Sequence, residues 1–220
     1  MAQPLTIGVL ISGGGTNLQA IMDAIEARQL DARIACVFSN RADAYGLVRA
    51  KEHGLTTQVL DHKNFSSREA YDQTVVEYLQ GRGVELVVLA GYMRLLSPTF
   101  IKAYSNRIMN IHPSLLPAFP GLHVQKKALD HGVRFAGCTV HFDNEECDDG
   151  PIIIQAVVPV FAEDSEESLA ARILRQEHRI YPRAIQLYAE GRLRVSGRRV
   201  LVDGAGHDEG QVLIQPPLAE

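Results

Sequence analysis

Apolar positions along the chain alternate between two textures. Residues 5–11, "LTIGVLI", form an apolar run of strand length, and residues 16–27 repeat their apolar side chains three and four apart, the spacing of one helix face. The pair recurs. Residues 33–39 read as a second strand and 42–54 as a helix closed by Gly54; 56–60 as a short third strand and 67–83 as a helix with Ser67 as its cap. Residues 84–91, "VELVVLAG", make the most apolar strand, as expected where both faces are covered, and 106–113 read as a fifth. This alternation predicts βαβ units: an α/β chain with a Rossmann-like, mostly parallel twisted sheet and helices on both faces.

From Phe135 the pattern changes. Residues 135–143 and 150–160 are two strand-like runs around an acidic loop, "NEECDDG", which predicts an added antiparallel hairpin in the C-terminal half. A long helix over 165–191 follows, with Pro182 expected to bend or break it. Beyond Gly191 the pattern predicts a small hairpin and a frayed end. Residues 1–192 are read as the functional domain, with 193–220 a hairpin and tail of the same single domain, a size ordinary for an α/β unit.

Composition narrows the classes. A 46% hydrophobic content supplies a core, and a formal net charge of -4 disfavours a general nucleic-acid partner. Three cysteines, Cys36, Cys138 and Cys147, include no CxxC pair, so free thiols in a reducing cytosol are expected rather than a disulfide framework. No apolar run reaches membrane-spanning length and no basic-then-apolar leader opens the sequence, so a soluble, cytoplasmic chain without a membrane partner is expected.

Two stretches carry candidate chemistry. "SGGGTN", residues 12–17, joins the first strand to the first helix, where glycines free backbone N–H groups for an anion. The dinucleotide pattern fails, because Leu18 stands where a third glycine belongs and no acid closes the second strand at "FSNR". No Gly-Lys-Ser/Thr is present either. The remaining functional reading is a monophosphate cradle of the Gly15 amide, the Thr16 hydroxyl and the Asn17 side chain; the alternative is a plain tight turn. The second stretch is "NIHPSLLP". Asn110 and His112, two apart on a strand, face one side, and Pro113 and Pro117 stiffen the turn after them. With Asp148 or Asp149 from the acidic loop, they make an amide, an imidazole and a carboxylate. An amide N–H₂ and an imidazolium can stabilise the oxyanion of acyl or formyl transfer, and a carboxylate favours the charged ring. Ser114 reads as a turn residue and His141 as a packing or supporting one. His53, His62, His131 and His207 sit in surface-like contexts, and His123 and His178 are undecided. No His/Cys/Asp/Glu cluster has metal-ligand spacing, so no metal is expected.

At this point the segments "VLISGGGTNLQAI", "VFSNRADAYGL", "FSSREAYD", "LAGYMRLLSPTF", "NIHPSLLPAFPGLH", "GCTVHF", "DDGPIIIQ" and "RILRQEHRIYP" resemble, in order, the phosphoribosylglycinamide formyltransferase family. The similarity runs from about Leu5 to about Arg192. The resemblance implies direct transfer of a formyl group from 10-formyltetrahydrofolate to glycinamide ribonucleotide in purine synthesis, by a monomer or homodimer. It implies catalytic Asn110, His112 and Asp148, the last selected by counting back from Pro151, with Asp149 in place of the usual small residue. It implies glycinamide ribonucleotide binding by Gly15, Thr16, Asn17 and Glu177. It implies a folate pocket from Arg68, Met93, Arg94, Leu95, Leu96 and Asn110, closed by Asn144, Glu145, Glu146, Cys147 and Asp148. The rivals are a formyltetrahydrofolate hydrolase, disfavoured because the first strand begins at once, a transferase acting on methionyl-tRNA, and a non-catalytic nucleotide-binding module.

Overall fold

The first five strands hydrogen-bond side by side in one direction, and everything after them is laid against that half-sheet. The structure, a computed structural model, describes residues 3–205 together with 213 and 215. Its elements in chain order are β1 (Leu5–Ile11), α1 (Thr16–Glu26), β2 (Ala32–Ser39), α2 (Gly46–Glu52), β3 (Thr57–Val59), α3 (Arg68–Gln80), β4 (Leu86–Leu89), α4 (Pro98–Ala103), β5 (Ile108–His112), α5 (Val124–Asp130), β6 (Phe135–Phe142), β7 (Ile152–Pro159), α6 (Glu166–Ala189), β8 (Leu193–Ser196) and β9 (Arg199–Val202). Among the described residues the strands form one sheet in the order β3-β2-β1-β4-β5-β6-β7-β9-β8. β1 to β5 pair in parallel, β6 turns antiparallel to β5, and β7 is antiparallel to β6. The expected α/β class, parallel sheet and antiparallel hairpin are all present.

Side-chain parity sorts the sheet into two cores. Ile7, Val9 and Ile11 of β1 pack with α1 and α6, while Leu10 joins Phe38, Tyr71, Val75 and Phe100 under α3 and α4. All four residues of β4 are buried, which explains its unbroken apolar run. Ser67 caps α3 as expected, its Oγ accepting from the Ala70 N–H at 3.1 Å.

Of the bend or break expected at Pro182, the break is absent: α6 runs unbroken over 24 residues. Proline removes one backbone donor, but Leu169, Ile173, Tyr181, Ala184 and Ile185 bury a continuous stripe against the sheet on both sides of it, and a Ser165–Ser168 capping box fixes the start. Three elements had no periodic signal: α4, α5 and a single 3-10 turn at His62–Asn64, each too short to show one. The expected C-terminal hairpin is β8–β9, attached through a parallel bridge between Ile152 and Arg199. The expected frayed end, with His207, falls on residues outside those described.

Tyr181 anchors α6 at the seam between β4 and β5, its single O–H shared between the carbonyls of Leu89 (3.0 Å) and Met109 (2.8 Å). Tyr181→Phe leaves both buried acceptors short of that donor and should destabilise the fold by about 1–2 kcal/mol. Urea unfolding should show a lower midpoint with an unchanged slope.

Candidate active site

β1, β4 and β5 deliver their last residues to the same edge of the sheet. β1 leads into the glycine loop, where Gly15 adopts φ 70°, a left-handed conformation. A Cβ there would stand 2.6 Å from Gly46 Cα of α2, so glycine is required by both conformation and space. Gly13 and Gly14 are different: a Cβ on either meets nothing within 4 Å, so this side of the loop is open. α1 starts immediately afterwards without a side-chain cap, which leaves its first-turn N–H groups free for an anion. Arg49 braces the loop from behind, donating from Nε to the Gly14 carbonyl at 2.9 Å.

The loop is tied to the ends of β2 and β4 by a hydroxyl. Ser12 Oγ donates to Asn40 Oδ1 at 2.6 Å and accepts from the Met93 N–H at 2.8 Å, while the Ser12 N–H donates to the Gly91 carbonyl. Sequence reasoning missed Ser12, Asn40 and Arg49. A polar pair closing two adjacent buried strands was the only available signal for the first two.

On the α6 side, Asn17 donates from Nδ2 to Glu177 Oε2 at 2.7 Å, and both residues are buried. Burial pushes the Glu177 carboxyl up, and the Asn17 amide holds it partly down. Asn17 Oδ1 is buried without a hydrogen-bond partner, an acceptor turned toward no protein donor.

On β5, Met109 and Ile111 enter the core under α6, so Asn110 and His112, out of phase with them, face the other side of the sheet. Thr139 and His141 of β6 share that face, because Cys138, Val140 and Phe142 point to the α6 core. Register places Asn110 opposite His141 and His112 opposite Thr139. His141 Nε2 lies 3.4 Å from Asn110 Nδ2, and its Nδ1 lies 2.9 Å from the Phe142 carbonyl. The ring thus donates from Nδ1 and accepts the Asn110 amide at Nε2. Burial holds His141 below its ordinary pKa, which suits that neutral acceptor role.

Two turns close over this face. The turn after β5 is held by Thr139, whose Oγ1 donates to the Ser114 carbonyl at 2.7 Å and accepts from the Leu116 N–H at 3.0 Å. Ser114 is a turn residue as read, donating to the Ala118 carbonyl at 2.6 Å. The turn returns the Phe119 carbonyl to within 3.0 Å of His112 Nε2. From the acidic loop, Asp148 places Oδ1 3.4 Å from His112 Nδ1, and its Oδ2 accepts from the Gly121 N–H at 2.8 Å. Both nitrogens of the buried His112 ring face acceptors, so a doubly protonated imidazole satisfies both, whereas either neutral tautomer sets a lone pair against oxygen. Asp149 points elsewhere, in a bidentate pair with Arg198 at 2.7 and 2.9 Å. Of the two carboxylates left open by spacing, Asp148 is the one beside the histidine.

The remaining candidates are spread along the rim. Met93 and Leu95 are exposed (65% and 59%), offering apolar surface, but Leu96 is turned into the core with 8% exposure. Arg94 lies over the Tyr71 ring at 4.7 Å with its Nε buried and unpartnered. Arg68 opens α3, and both arginines act on the buried carboxyl of Asp72, which burial pushes up. Asn144 accepts from the Glu146 N–H at 3.0 Å, and Glu145, Glu146 and Cys147 are exposed. Among the described residues, no group of three or more His, Cys, Asp or Glu side chains could hold a metal ion, and no helix is long and apolar enough to cross a membrane.

A doubly covered parallel sheet with an open glycine turn, and an amide, imidazole and carboxylate gathered beside it, defines an α/β protein equipped for group transfer to an anionic substrate. The comparisons specify the class. Residues 5–185 match the family described as formyl transferase, and the chain belongs to that family. It is 48% identical over 200 residues to the phosphoribosylglycinamide formyltransferase of Escherichia coli (strain K12), covering 91% of this chain and 94% of that protein. It is 50% identical over 198 residues to the protein of the same name from Haemophilus influenzae, covering 90% and 93%. The crystal structure of glycinamide ribonucleotide transformylase 1 from Symbiobacterium toebii superimposes with a TM-score of 0.90 at 55% identity, covering 92% of this chain and 95% of that one.

Asp143 adds a titratable group to the site's border. Burial, with the charge of Asp148 adding to it, pushes its carboxyl from the ordinary 3.8 up to about 7. A carboxyl raised on folding binds more protons native than unfolded across that window, so stability falls as pH climbs from about 4 to about 7 and is level above. Asp143→Asn removes this dependence. Thermal melts should show the variant gaining on the wild type from pH 4 to pH 7, with a constant difference above.

Proposed function

We propose that this chain transfers the formyl group of 10-formyltetrahydrofolate to the primary amine of glycinamide ribonucleotide, giving formylglycinamide ribonucleotide and tetrahydrofolate in de novo purine synthesis. The observation that carries the reading is His112, held on Nδ1 by Asp148 and sharing one sheet face with Asn110. The high identity to relatives bearing that name over nearly their whole length supports the same assignment.

The amine nitrogen attacks the formyl carbon. A new C–N bond forms, and the carbonyl oxygen takes the electron pair as an oxyanion. Collapse breaks the bond from carbon to N10 of the folate; the attacking nitrogen loses a proton and N10 gains one. No covalent enzyme intermediate is needed. Asn110 donates one amide hydrogen to the oxyanion while His141 accepts the other, which fixes the direction of the amide. Doubly protonated His112 donates to the same oxygen, and Asp148 accepts from its other nitrogen and orients the ring. In the structure the Phe119 carbonyl occupies the acceptor position on His112 Nε2, so substrate binding exchanges one acceptor for another.

The glycine loop takes the phosphate. Its open side at Gly13 and Gly14 leaves backbone N–H groups accessible, with Thr16 and the unpaired Asn17 Oδ1 at the helix start. Glu177, buried beside Asn17, is placed to accept from the hydroxyl or amine groups of the ribonucleotide. The folate lies against the exposed Met93 and Leu95 and under the 144–148 loop, between apolar walls and backbone groups. All these side chains come from one chain, so the scheme holds for a monomer or a homodimer, and a cytoplasmic location fits both small substrates.

His112→Ala and Asp148→Asn should each lower kcat by about 10²–10³-fold, the loss typical of an oxyanion donor, with KM for both substrates changed less than about threefold. A spectroscopic assay of tetrahydrofolate release, run with and without glycinamide ribonucleotide, checks the transfer itself. Release that is independent of the ribonucleotide identifies a hydrolase and overturns the reading, as does an equal loss of binding and turnover in the variants.

A further inference from the structure

Asp148 is held in a costly conformation. Its φ of 55° is left-handed, a region that a residue with a side chain adopts at a cost and that Asp enters more readily than most. Contacts of its neighbours add to what holds it there. Behind it, Gly150 presses so closely on the Phe142 carbonyl that a Cβ would overlap that oxygen. Between the two stands Asp149, which makes no contact with His112. Arg198, at the turn of the β8–β9 hairpin, takes both Asp149 carboxylate oxygens (2.7 and 2.9 Å) and the Asp149 backbone carbonyl (3.2 Å).

We propose that Arg198 is a positioning residue for formyl transfer: by gripping the side chain and the backbone of Asp149, the C-terminal hairpin clamps the neighbouring Asp148 against His112. The inference rests on the proposed function for its catalytic consequence and on geometry alone for the clamp. A surface ion pair ordinarily contributes little, because two long side chains must be ordered in water. This one has a planar fork on both oxygens of a short side chain, and the third bond goes to the main chain itself. It acts on the loop rather than on global stability. The hairpin that carries Arg198 pairs with the sheet through the Ile152–Arg199 bridge and packs Leu193, Val195 and Val200 against the core, so it is a firm base from which the side-chain grip reaches the loop. Lysine, a point charge without the fork, cannot reproduce it.

The test uses Arg198→Ala, Arg198→Lys, Asp149→Ala and the Arg198→Ala/Asp149→Ala double variant. Arg198→Ala should lower kcat roughly fivefold, the scale of coupling between contacting residues, with KM for glycinamide ribonucleotide unchanged. Asp149→Ala should match it, the double variant should lose no more than either single one, and Arg198→Lys should recover only part. The second readout needs no substrate: amide exchange at Gly121, whose N–H is held by Asp148 Oδ2, should quicken in Arg198→Ala while β1 amides stay unchanged. Unchanged exchange at Gly121, or exchange rising uniformly through the core, overturns the clamp. Faster exchange with unaltered kcat, or multiplicative losses in the double variant, overturns its role in positioning. If the wild type transfers no formyl group, the functional reading falls, while the exchange experiment still decides whether the clamp exists.

Discussion

The site exists because β6 runs antiparallel to β5. A parallel continuation of the sheet would have needed a crossover, usually a helix, and helices cover the faces of parallel sheets. Reversing the strand leaves the face carrying Asn110, His112, Thr139 and His141 to two turns instead. The segment after β5 presents backbone groups directly: the Phe119 carbonyl meets His112 Nε2, and the Gly121 N–H meets the Asp148 carboxylate. The same reversal puts His141 opposite Asn110, so the side chain that orients the amide comes from the neighbouring strand. Opposite this face, α6 is free to cover the sheet and bring Glu177 to the start of α1.

Burying charge is expensive unless each charge is paired and its remaining hydrogen-bonding capacity is met. His112 and Asp148 meet that condition with four groups: each other, the Phe119 carbonyl and the Gly121 N–H. Glu177 meets it less fully, since Asn17 is its one protein donor and burial pushes its carboxyl up. The difference matches the tasks. In the proposed scheme His112 and Asp148 already have their partners, whereas Glu177 gains its missing donors when the ribonucleotide binds. The unpaired Asn17 Oδ1 beside it tells the same story from the other side of the amide.

The parallel half of the fold was legible because its strands and helices each carry one periodicity over many residues; β1 is the run "LTIGVLI" from end to end. The illegible parts have the same physics behind them. Pro182 suggested an interruption, yet a helix packed along its whole apolar side tolerates one lost backbone bond, and packing is not visible in a local pattern. α5 spans seven residues, too few for a period. Within the site, pairs close in sequence were readable: Asn110 and His112 share a face by strand parity alone. The partner carboxylate stayed open to residue chemistry alone, because Asp148 and Asp149 are equivalent in composition; the resemblance, counted back from Pro151, pointed to Asp148, the one beside His112. Only the left-handed backbone at Asp148 and the reach of Arg198 toward Asp149 separate them. Leu96, expected on the folate wall, is in the core for a comparable reason: side-chain direction in an irregular turn follows no period.

The glycine loop shows how an incomplete motif still performs its task. In the dinucleotide pattern the third glycine lets the first helix pack closely on a strand. Here Leu18 fills that position and is fully buried, so α1 packs through a side chain instead. The close backbone approach occurs elsewhere, between Gly15 and Gly46, with the Gly46 N–H bonded to the Gly13 carbonyl at 2.9 Å. That contact docks the start of α2 against the rear of the loop, and Arg49 of the same helix reaches the Gly14 carbonyl. The loop carbonyls are thereby engaged on the α2 side while Gly13 and Gly14 stay uncrowded on the other. At the end of β2, Asn40 is committed to Ser12 rather than free for a ribose. This packing suits the single phosphate of the proposed ribonucleotide substrate. The proposed function thereby draws support from the loop as well as from the chemistry at His112.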